Sequence, residues 1–456
     1  MTVASIPRGT RDFGPDIVRK RNYIIQTIRS TFETYGFEPL ETPAMENIET
    51  LTGKYGDEGD KLMFKILNNG DIYSKGAQAT TNQELINAVS EKALRYDLTI
   101  PFARYVAMNR SQLTFPFKRF QIQPVWRADN PQRGRFREFY QCDADVIGSK
   151  SLISEMELLS IYSRVFEQLN LQVEIKLNNR KILAGLAELA GIADRMMEMT
   201  ILLDKLDKIG PEKLHELMLK AAFSNDAIAC IEQFLAIKGT NETVLLALKE
   251  LFKHTEIALR GIDEIETVLK GYQLMQQGDK PNQLAIDLTL ARGLNYYTGI
   301  IIEVKSAEVA MGSIGGGGRY DDLTGIFGVP DMSGVGISFG LDRIYEVLLE
   351  LNRFPDTTKN GTKVLFINFG NQAETTALQL VQAIRQETIA AEIYPSNEKI
   401  KKQMEYANKK QIPFVVLIGE NELQNNQVVI KNMASGEQQT VSIATFIQHI
   451  KELFSI

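Results

Sequence analysis

The sequence predicts an α+β domain built on an antiparallel sheet, interrupted by a helical insertion and followed by a small α/β domain. Three observations carry this expectation. Two alternating segments around residue 130 read as a hairpin, helical periods rich in Leu, Ala, Glu and Lys fill 178–277, and strands alternate with helices beyond 363. At 456 residues the chain exceeds one ordinary core. The expected divisions are 1–350 for the first domain, with 178–277 inserted in it, 351–362 for a polar linker holding Pro355 and Asp356, and 363–456 for the second domain.

Hydrophobic residues at 44% and charged residues at 24% are ordinary for a globular chain. No apolar run reaches the ~18 residues of a membrane helix. The opening MTVASIPRGTRDFGPD holds no apolar signal segment, so a cytoplasmic protein without a membrane partner is expected. Two cysteines, Cys142 and Cys230, give no disulfide framework and fit a reducing compartment. With only His215, His254 and His449, far apart, a Cys/His zinc site is not expected, and the sequence identifies no metal ligand. The net charge of −6 lends no support to nucleic-acid binding overall. Locally, Lys118, Arg119, Arg127, Arg133, Arg135 and Arg137 oppose a lone Asp129 and form a basic patch.

In chain order, Pro15-Asp16 and the apolar stripe Ile17, Val18, Ile24, Ile25, Ile28 and Phe32 predict a helix ending at Tyr35-Gly36. Residues 37–43, with Pro39 and Pro43, read as an extended segment at a sheet edge, either unpartnered or forming a dimer. Residues 61–81 read as a hairpin turning at Asn68-Asn69-Gly70-Asp71. A short strand over 93–101 enters a helix. Within it Asp97 and Thr99 share a parity, which suits either an ammonium group or a helix cap.

The hairpin over 117–148 divides its side chains by parity. Phe120, Ile122, Pro124 and Trp126 oppose Gln121, Gln123 and Arg127. Phe136, Tyr140, Cys142, Ala144 and Val146 oppose Phe139, Gln141, Asp143 and Asp145, with Glu138 an exception on the apolar side. A polar sheet face normally turns to water. The same Arg, amides, carboxylates and ring could instead hold a charged, planar ligand, and the hairpin alone leaves both readings open.

A helix over 152–169 precedes the insertion, whose breaks are Ile209-Gly210-Pro211 and Lys238-Gly239-Thr240-Asn241. The insertion displays no chemistry, and its histidines read as surface residues. Strands return at 284–290 and 300–304. Between them Arg292 stands near Tyr296-Tyr297, suited to phosphate or carboxylate oxygens or to a structural Arg–Tyr stack. Gly315-Gly316-Gly317-Gly318 lets a backbone approach something flat. Neither that run nor Gly334 through Gly340 has the spacing G-x-G-x-x-G, and no P-loop occurs. Arg343 falls near a helix N-terminus, where anions are favoured. The last domain reads as strand 364–368, helix 374–385, strand 391–394, helix 400–410, strand 414–419, strands 428–431 and 438–441, and a helix from 444. Lysines 399, 401, 402, 409 and 410 read as a solvated face or as phosphate contacts.

Three separated segments resemble the motifs of the class II aminoacyl-tRNA synthetases. Residues 37–43 look like motif 1, the hairpin with Arg127 and Phe139 like motif 2, and 334–343, ending in Arg343, like motif 3. Leu94-Arg95-Tyr96-Asp97-Leu98-Thr99, Gln141-Cys142-Asp143-Ala144-Asp145 and Arg292-Gly293-Leu294-Asn295-Tyr296-Tyr297-Thr298-Gly299 match motifs peculiar to the histidyl-tRNA synthetases, and Pro7-Arg8-Gly9-Thr10-Arg11-Asp12 also fits. The resemblance covers nearly the whole chain.

That resemblance implies a class II catalytic domain, a C-terminal anticodon-binding domain and a homodimer. It implies ATP-dependent attachment of L-histidine to histidine tRNA through a histidyl-adenylate, with Mg2+. Arg127 would hold the ATP α-phosphate and the histidine carboxylate, Phe139 would stack on adenine, and Arg343 would meet the γ-phosphate. Arg292 would act at the α-phosphate as catalytic cation. Asp97, Thr99 and Gln141 would bind the ammonium, and Asp145 and Tyr297, beside Tyr296, the imidazole. Gln132 and Arg133 would approach the tRNA acceptor end. Asn295 departs from a frequent Asp, and Asp97 belongs to one of two family versions, the other carrying Pro-Glu-Gly-Thr. Two alternatives are a catalytically silent synthetase-like regulatory protein that binds histidine, and a prolyl, threonyl or glycyl enzyme. The first usually lacks the C-terminal domain and the Arg-Gly-Leu-x-Tyr-Tyr run, both present here. The second is opposed by Tyr296-Tyr297 and by Gln141 with Asp145.

Overall fold

The computed structural model describes residues 3–52, 56–276, 283–291, 297–358 and 361–454. The chain divides into two units, one of Met1–Phe13 and Lys20–Arg353, the other of Gly14–Arg19 and Phe354–Ile456.

The first unit is organised on an eight-stranded sheet. Its order is Glu38–Pro39, Phe117–Trp126, Glu138–Ile147, Gly334–Gly340, Gly315–Tyr320, Ile300–Ser306, Val173–Asn179 and Gln283–Ile286. Interior pairs are antiparallel, and the two edge strands run parallel to their neighbours. The hairpin alternation survives in the register, from Phe117 opposite Ile147 to Trp126 opposite Glu138.

One face packs on helices through a ring cluster. Phe339 lies 4.6 Å from Tyr162, on helix Ile153–Gln168, and 5.9 Å from Phe32, on helix Pro15–Thr34. Phe32 in turn lies 5.7 Å from Phe120. The Tyr162 hydroxyl reaches the carbonyls of Gly316 and Ser338 at 2.8 and 2.9 Å, tying this helix to the two glycine-rich strands.

The opposite, polar face is not wet. Arg119, Gln121, Asp143 and Asp145 are all buried, so the water-facing reading of the hairpin does not hold. Residues 61–81 form no hairpin either. Lys65–Ile66 pairs with Lys92–Leu94, which also pairs with Met45–Asn47, and Asp71 caps helix Ile72–Gly76 by accepting from the Ser74 amide. An Asp after a glycine serves a helix start as readily as a turn. Val173–Asn179 is a strand that the sequence reading passed over. Its buried Asn178 donates to the Leu290 carbonyl, and Asn179 caps helix Arg180–Leu189.

The second unit follows the expected alternation. Strands Ala391–Ile393, Val364–Phe366 and Phe414–Leu417 are parallel, and Gln427–Asn432 and Gln438–Ser442 extend the sheet antiparallel. Helices Asn371–Gln386, Ile400–Lys409 and Phe446–Phe454 cover it, with Phe366, Ile384, Val416 and Phe446 in one core and Leu365, Ala407 and Val415 in the other.

Candidate active site

The buried polar face of the first unit floors two adjoining cavities of about 80 Å³ and about 740 Å³. They share Arg127, Gln141, Tyr297, Gly316, Gly317 and Ser338.

The smaller cavity collects Asp97, Thr99, Gln141, Asp143 and Asp145, closed by Tyr297 and Tyr320. Glycine makes this geometry possible where strands cross under a side chain. A Cβ on Gly336 would lie 1.9 Å from Asp145 Oδ1, and one on Gly317 would lie 2.2 Å from the Gly336 carbonyl. Asp145 is held from both sides. Its Oδ2 is 2.8 Å from Arg119 Nη2, and its Oδ1 accepts from the Tyr320 hydroxyl at 2.6 Å. Burial raises the Asp145 pKa, opposed by Arg119 and by the Tyr320 hydrogen bond. Burial also pushes Asp143 up to about 7, with Arg119 and a hydrogen bond to Ser338 pulling down and Asp145 and Asp97 adding to the rise. Gln141 Nε2 donates to Ser338 Oγ at 3.2 Å. Asp97 both faces the cavity and caps the next helix, Oδ1 accepting from the Ile100 amide at 3.1 Å. The two readings of Asp97 are therefore compatible.

The larger cavity is lined by Phe139, Phe136, Gln132, Arg135 and Arg343, among others. Arg127 joins the two spaces. Its Nε donates to the Tyr96 carbonyl at 3.0 Å, and its guanidinium lies over the Tyr96 ring at 4.2 Å, with Phe139 at 5.3 Å. Arg343, on helix Leu341–Glu350, donates from Nε to the Gly134 carbonyl and from Nη1 to the Ser313 carbonyl. Its neighbour Asp342 accepts from Arg11 and Arg21. The chain start braces the loop of the hairpin as well. Arg11 lies 3.2 Å from the centre of the Phe136 ring, and the Arg137 amide donates to the Gly9 carbonyl at 2.8 Å.

Of the residues proposed from sequence, the structure brings Asp97, Thr99, Arg127, Gln132, Phe139, Gln141, Asp145, Tyr297 and Arg343 to these two cavities. Arg292 and Tyr296 lie outside the described residues. Arg133 does not line either cavity, and pairs with Glu350 and, at 3.7 Å, Glu346. The basic patch is largely internal pairing. Lys118 meets Glu157, Arg119 meets Asp145, and Arg135 meets Asp129. Sequence reasoning missed Arg119, Asp143, Tyr320 and Ser338. It also missed Asp204 and Lys208, which reach the larger cavity from an insertion that had shown no chemistry. For Arg119 and Asp143 a signal existed, since both share the polar parity of Gln121 and Gln141.

The carboxylates of the larger cavity are already engaged. Asp129 pairs with Arg135, Asp342 with Arg11 and Arg21, and Glu303 with Ser313 and, at 3.3 Å, with Lys305. No group of three or more His, Cys, Asp or Glu side chains suited to a metal occurs among the described residues. Nor is any helix among them long and apolar enough to cross a membrane.

A nucleotide-sized cleft and a small acceptor-rich pocket, sharing an arginine on an antiparallel sheet and lacking a P-loop, form the arrangement of class II aminoacyl-tRNA synthetases. The family model for histidyl-tRNA synthetase matches residues 9–344, and the one for an anticodon binding domain matches 363–453. The chain is 52% identical to the histidine–tRNA ligase of Phocaeicola vulgatus over 445 residues, 96% of each chain. It is 53% identical to that of Christiangramia forsetii over 440 residues, 95% of this chain and 96% of the relative. The crystal structure of histidyl-tRNA synthetase from Nostoc sp. PCC 7120 superposes with a TM-score of 0.83 at 32% identity, covering 99% of this chain and 100% of the other. An ATP phosphoribosyltransferase regulatory subunit/histidyl-tRNA synthetase from Bacillus halodurans C shares the fold, with a TM-score of 0.73 at 20% identity over 91% of this chain and 99% of the other. The chain belongs to the histidyl-tRNA synthetase family.

Proposed function

We infer that the chain attaches L-histidine to histidine tRNA, using ATP and passing through a histidyl-adenylate. The observation that carries this is the junction of the two cavities at Arg127. Adenylation is attack of a carboxylate on an α-phosphate, and negative charge gathers where the two substrates meet. A planar guanidinium fixed there by the Tyr96 carbonyl can hold a carboxylate oxygen and a phosphate oxygen together. Holding both reactants in line supplies much of the rate, so no protein nucleophile is needed.

In this reading histidine occupies the smaller cavity. Asp97, Thr99 and Gln141 receive its ammonium, and Asp145 with Tyr297 and Tyr296 receives its imidazole. ATP occupies the larger cavity, with its adenine on Phe139, its γ-phosphate at Arg343 and its α-phosphate at Arg127 and Arg292. Gln132 and Arg133 approach the acceptor end of the tRNA. Mg2+ would be carried on ATP by phosphate oxygens and water, where it would neutralise phosphate charge. The enzyme is a cytoplasmic homodimer joined through 37–43, and its catalytic, linker and anticodon-binding parts divide near 350 and 362. The regulatory alternative is the weaker one, because the relatives of half-identical sequence are named ligases.

The test is ATP–pyrophosphate exchange with purified protein. Exchange should require histidine and should vanish in Arg292→Ala. Exchange driven by proline or threonine would overturn the assignment.

A further inference from the structure

We propose that Asp143 is a contact for the α-ammonium of histidine, acting beside Gln141 and Asp97 in the smaller cavity; this rests on the histidine reading of that cavity. Gln141, Asp143 and Asp145 alternate along one strand and so share its face. They differ in what answers them. Asp145 is met by Arg119 and Tyr320. Gln141 spends its amide nitrogen on Ser338, and its Oε1 is buried with no hydrogen-bond partner among the described residues. Asp143, 2% exposed, shares a side-chain hydrogen bond with Ser338 but leaves Oδ1 buried with no hydrogen-bond partner among the described residues.

Buried acceptors without donors are costly, and a ligand that brings several donors relieves them together. An ammonium brings three donors and no acceptor, whereas a neutral imidazole brings a single N–H. Charge points the same way. Arg119 pairs with Asp145 at 2.8 Å and also pulls the Asp143 pKa down, so one guanidinium serves two buried carboxylates and an ammonium would add the second cation. The histidine carboxylate is repelled by Asp143 and drawn to Arg127, where the cavities join. The ammonium on the same carbon then falls on the Asp143 side. Asp97 already spends Oδ1 on the Ile100 amide. Asp143 supplies a second carboxylate in the same cavity. The rise of the Asp143 pKa to about 7 accords with a charge that is poorly served until a cation arrives.

The test compares wild type with Asp143→Asn in histidine-dependent ATP–pyrophosphate exchange, using two competitive inhibitors. Histidinol keeps the ammonium and lacks the carboxylate; imidazolylpropionate keeps the carboxylate and lacks the ammonium. The KM of histidine and the Ki of histidinol should rise roughly ten- to hundredfold, the worth of one hydrogen bond to a charged group. The Ki of imidazolylpropionate should not rise. Equal weakening of both inhibitors, or of neither, overturns the proposal. If the asparagine variant does not fold, Asp143→Ala, which leaves no polar group behind, carries the same comparison. A wild-type enzyme that ignores histidine would instead overturn the proposed function.

Discussion

Arg119 and Asp145 stand opposite each other in the hairpin register, Nη2 to Oδ2 at 2.8 Å, with side chains 0% and 3% exposed. Removing one member strands the other charge away from water. Arg119→Met should therefore lower the unfolding free energy by about 3–5 kcal/mol, the cost of breaking a buried pair. Arg119→Met with Asp145→Leu should recover most of that stability without recovering histidine-dependent exchange. Urea unfolding of the single and double variants checks both statements.

Asp143 should make the ligand-free protein less stable as pH rises. Its folded pKa of about 7 lies above the ~4 of an unfolded Asp, so the native state holds a proton across that window that the unfolded state has released. The resulting stability is complete below the unfolded value and is lost as pH climbs through the folded one. Burial sets this value first, and the neighbouring groups Arg119, Asp145, Ser338 and Asp97 adjust it. Against wild type, Asp143→Asn should gain in Tm from pH 5 to pH 8. A Tm difference that stays constant over this range would refute the assignment.

Gly336 has no room for a methyl group, since its Cβ would meet Asp145 Oδ1 at 1.9 Å. Gly336→Ala should displace Asp145 from Tyr320 and raise the KM of histidine at least ~10-fold, as expected when a polar ligand group loses its partner. The KM of ATP should move much less. Steady-state exchange with each substrate varied separately measures the two effects.

Arg127 should matter to rate far more than to stability. Arg127→Ala should lower kcat for exchange roughly 10²–10³-fold, as loss of one donor to developing charge does elsewhere. Its half-buried side chain makes one hydrogen bond to the Tyr96 carbonyl, so Tm should stay close to wild type. A large fall in Tm with unchanged kcat would reverse the assignment.

Much of the architecture was legible because it rests on local alternation. The hairpin strands and the alternating C-terminal unit depend on period-two and helical patterns that neighbouring residues set together. Val173–Asn179 was less legible, although Val173, Ile175 and Leu177 alternate. Its end at Asn178-Asn179 is satisfied by groups roughly a hundred residues downstream, which no local window contains. The candidate site divides in the same way. Parity placed Gln141 and Asp145 on one face, but Arg119 looked like one more surface cation among its charged neighbours. Its burial becomes visible only when Asp145 is set opposite it by the register. Asp204 and Lys208 gave no sequence signal, since they are two charges in a helical stretch full of them.

The centre of the sheet joins Glu138–Ile147 to Gly334–Gly340, setting Asp143 opposite Ser338 with the whole helical insertion between them in the chain. During synthesis one wall of the smaller cavity therefore leaves the ribosome long before the other. The insertion can acquire its local helical contacts in the interval, while the hairpin waits with its charged face unmatched. Long-range pairing of this kind slows folding. A chain halted before Gly334 should expose the hairpin's unpaired edge and be a client for chaperones, whereas one halted just past Arg343 holds both walls.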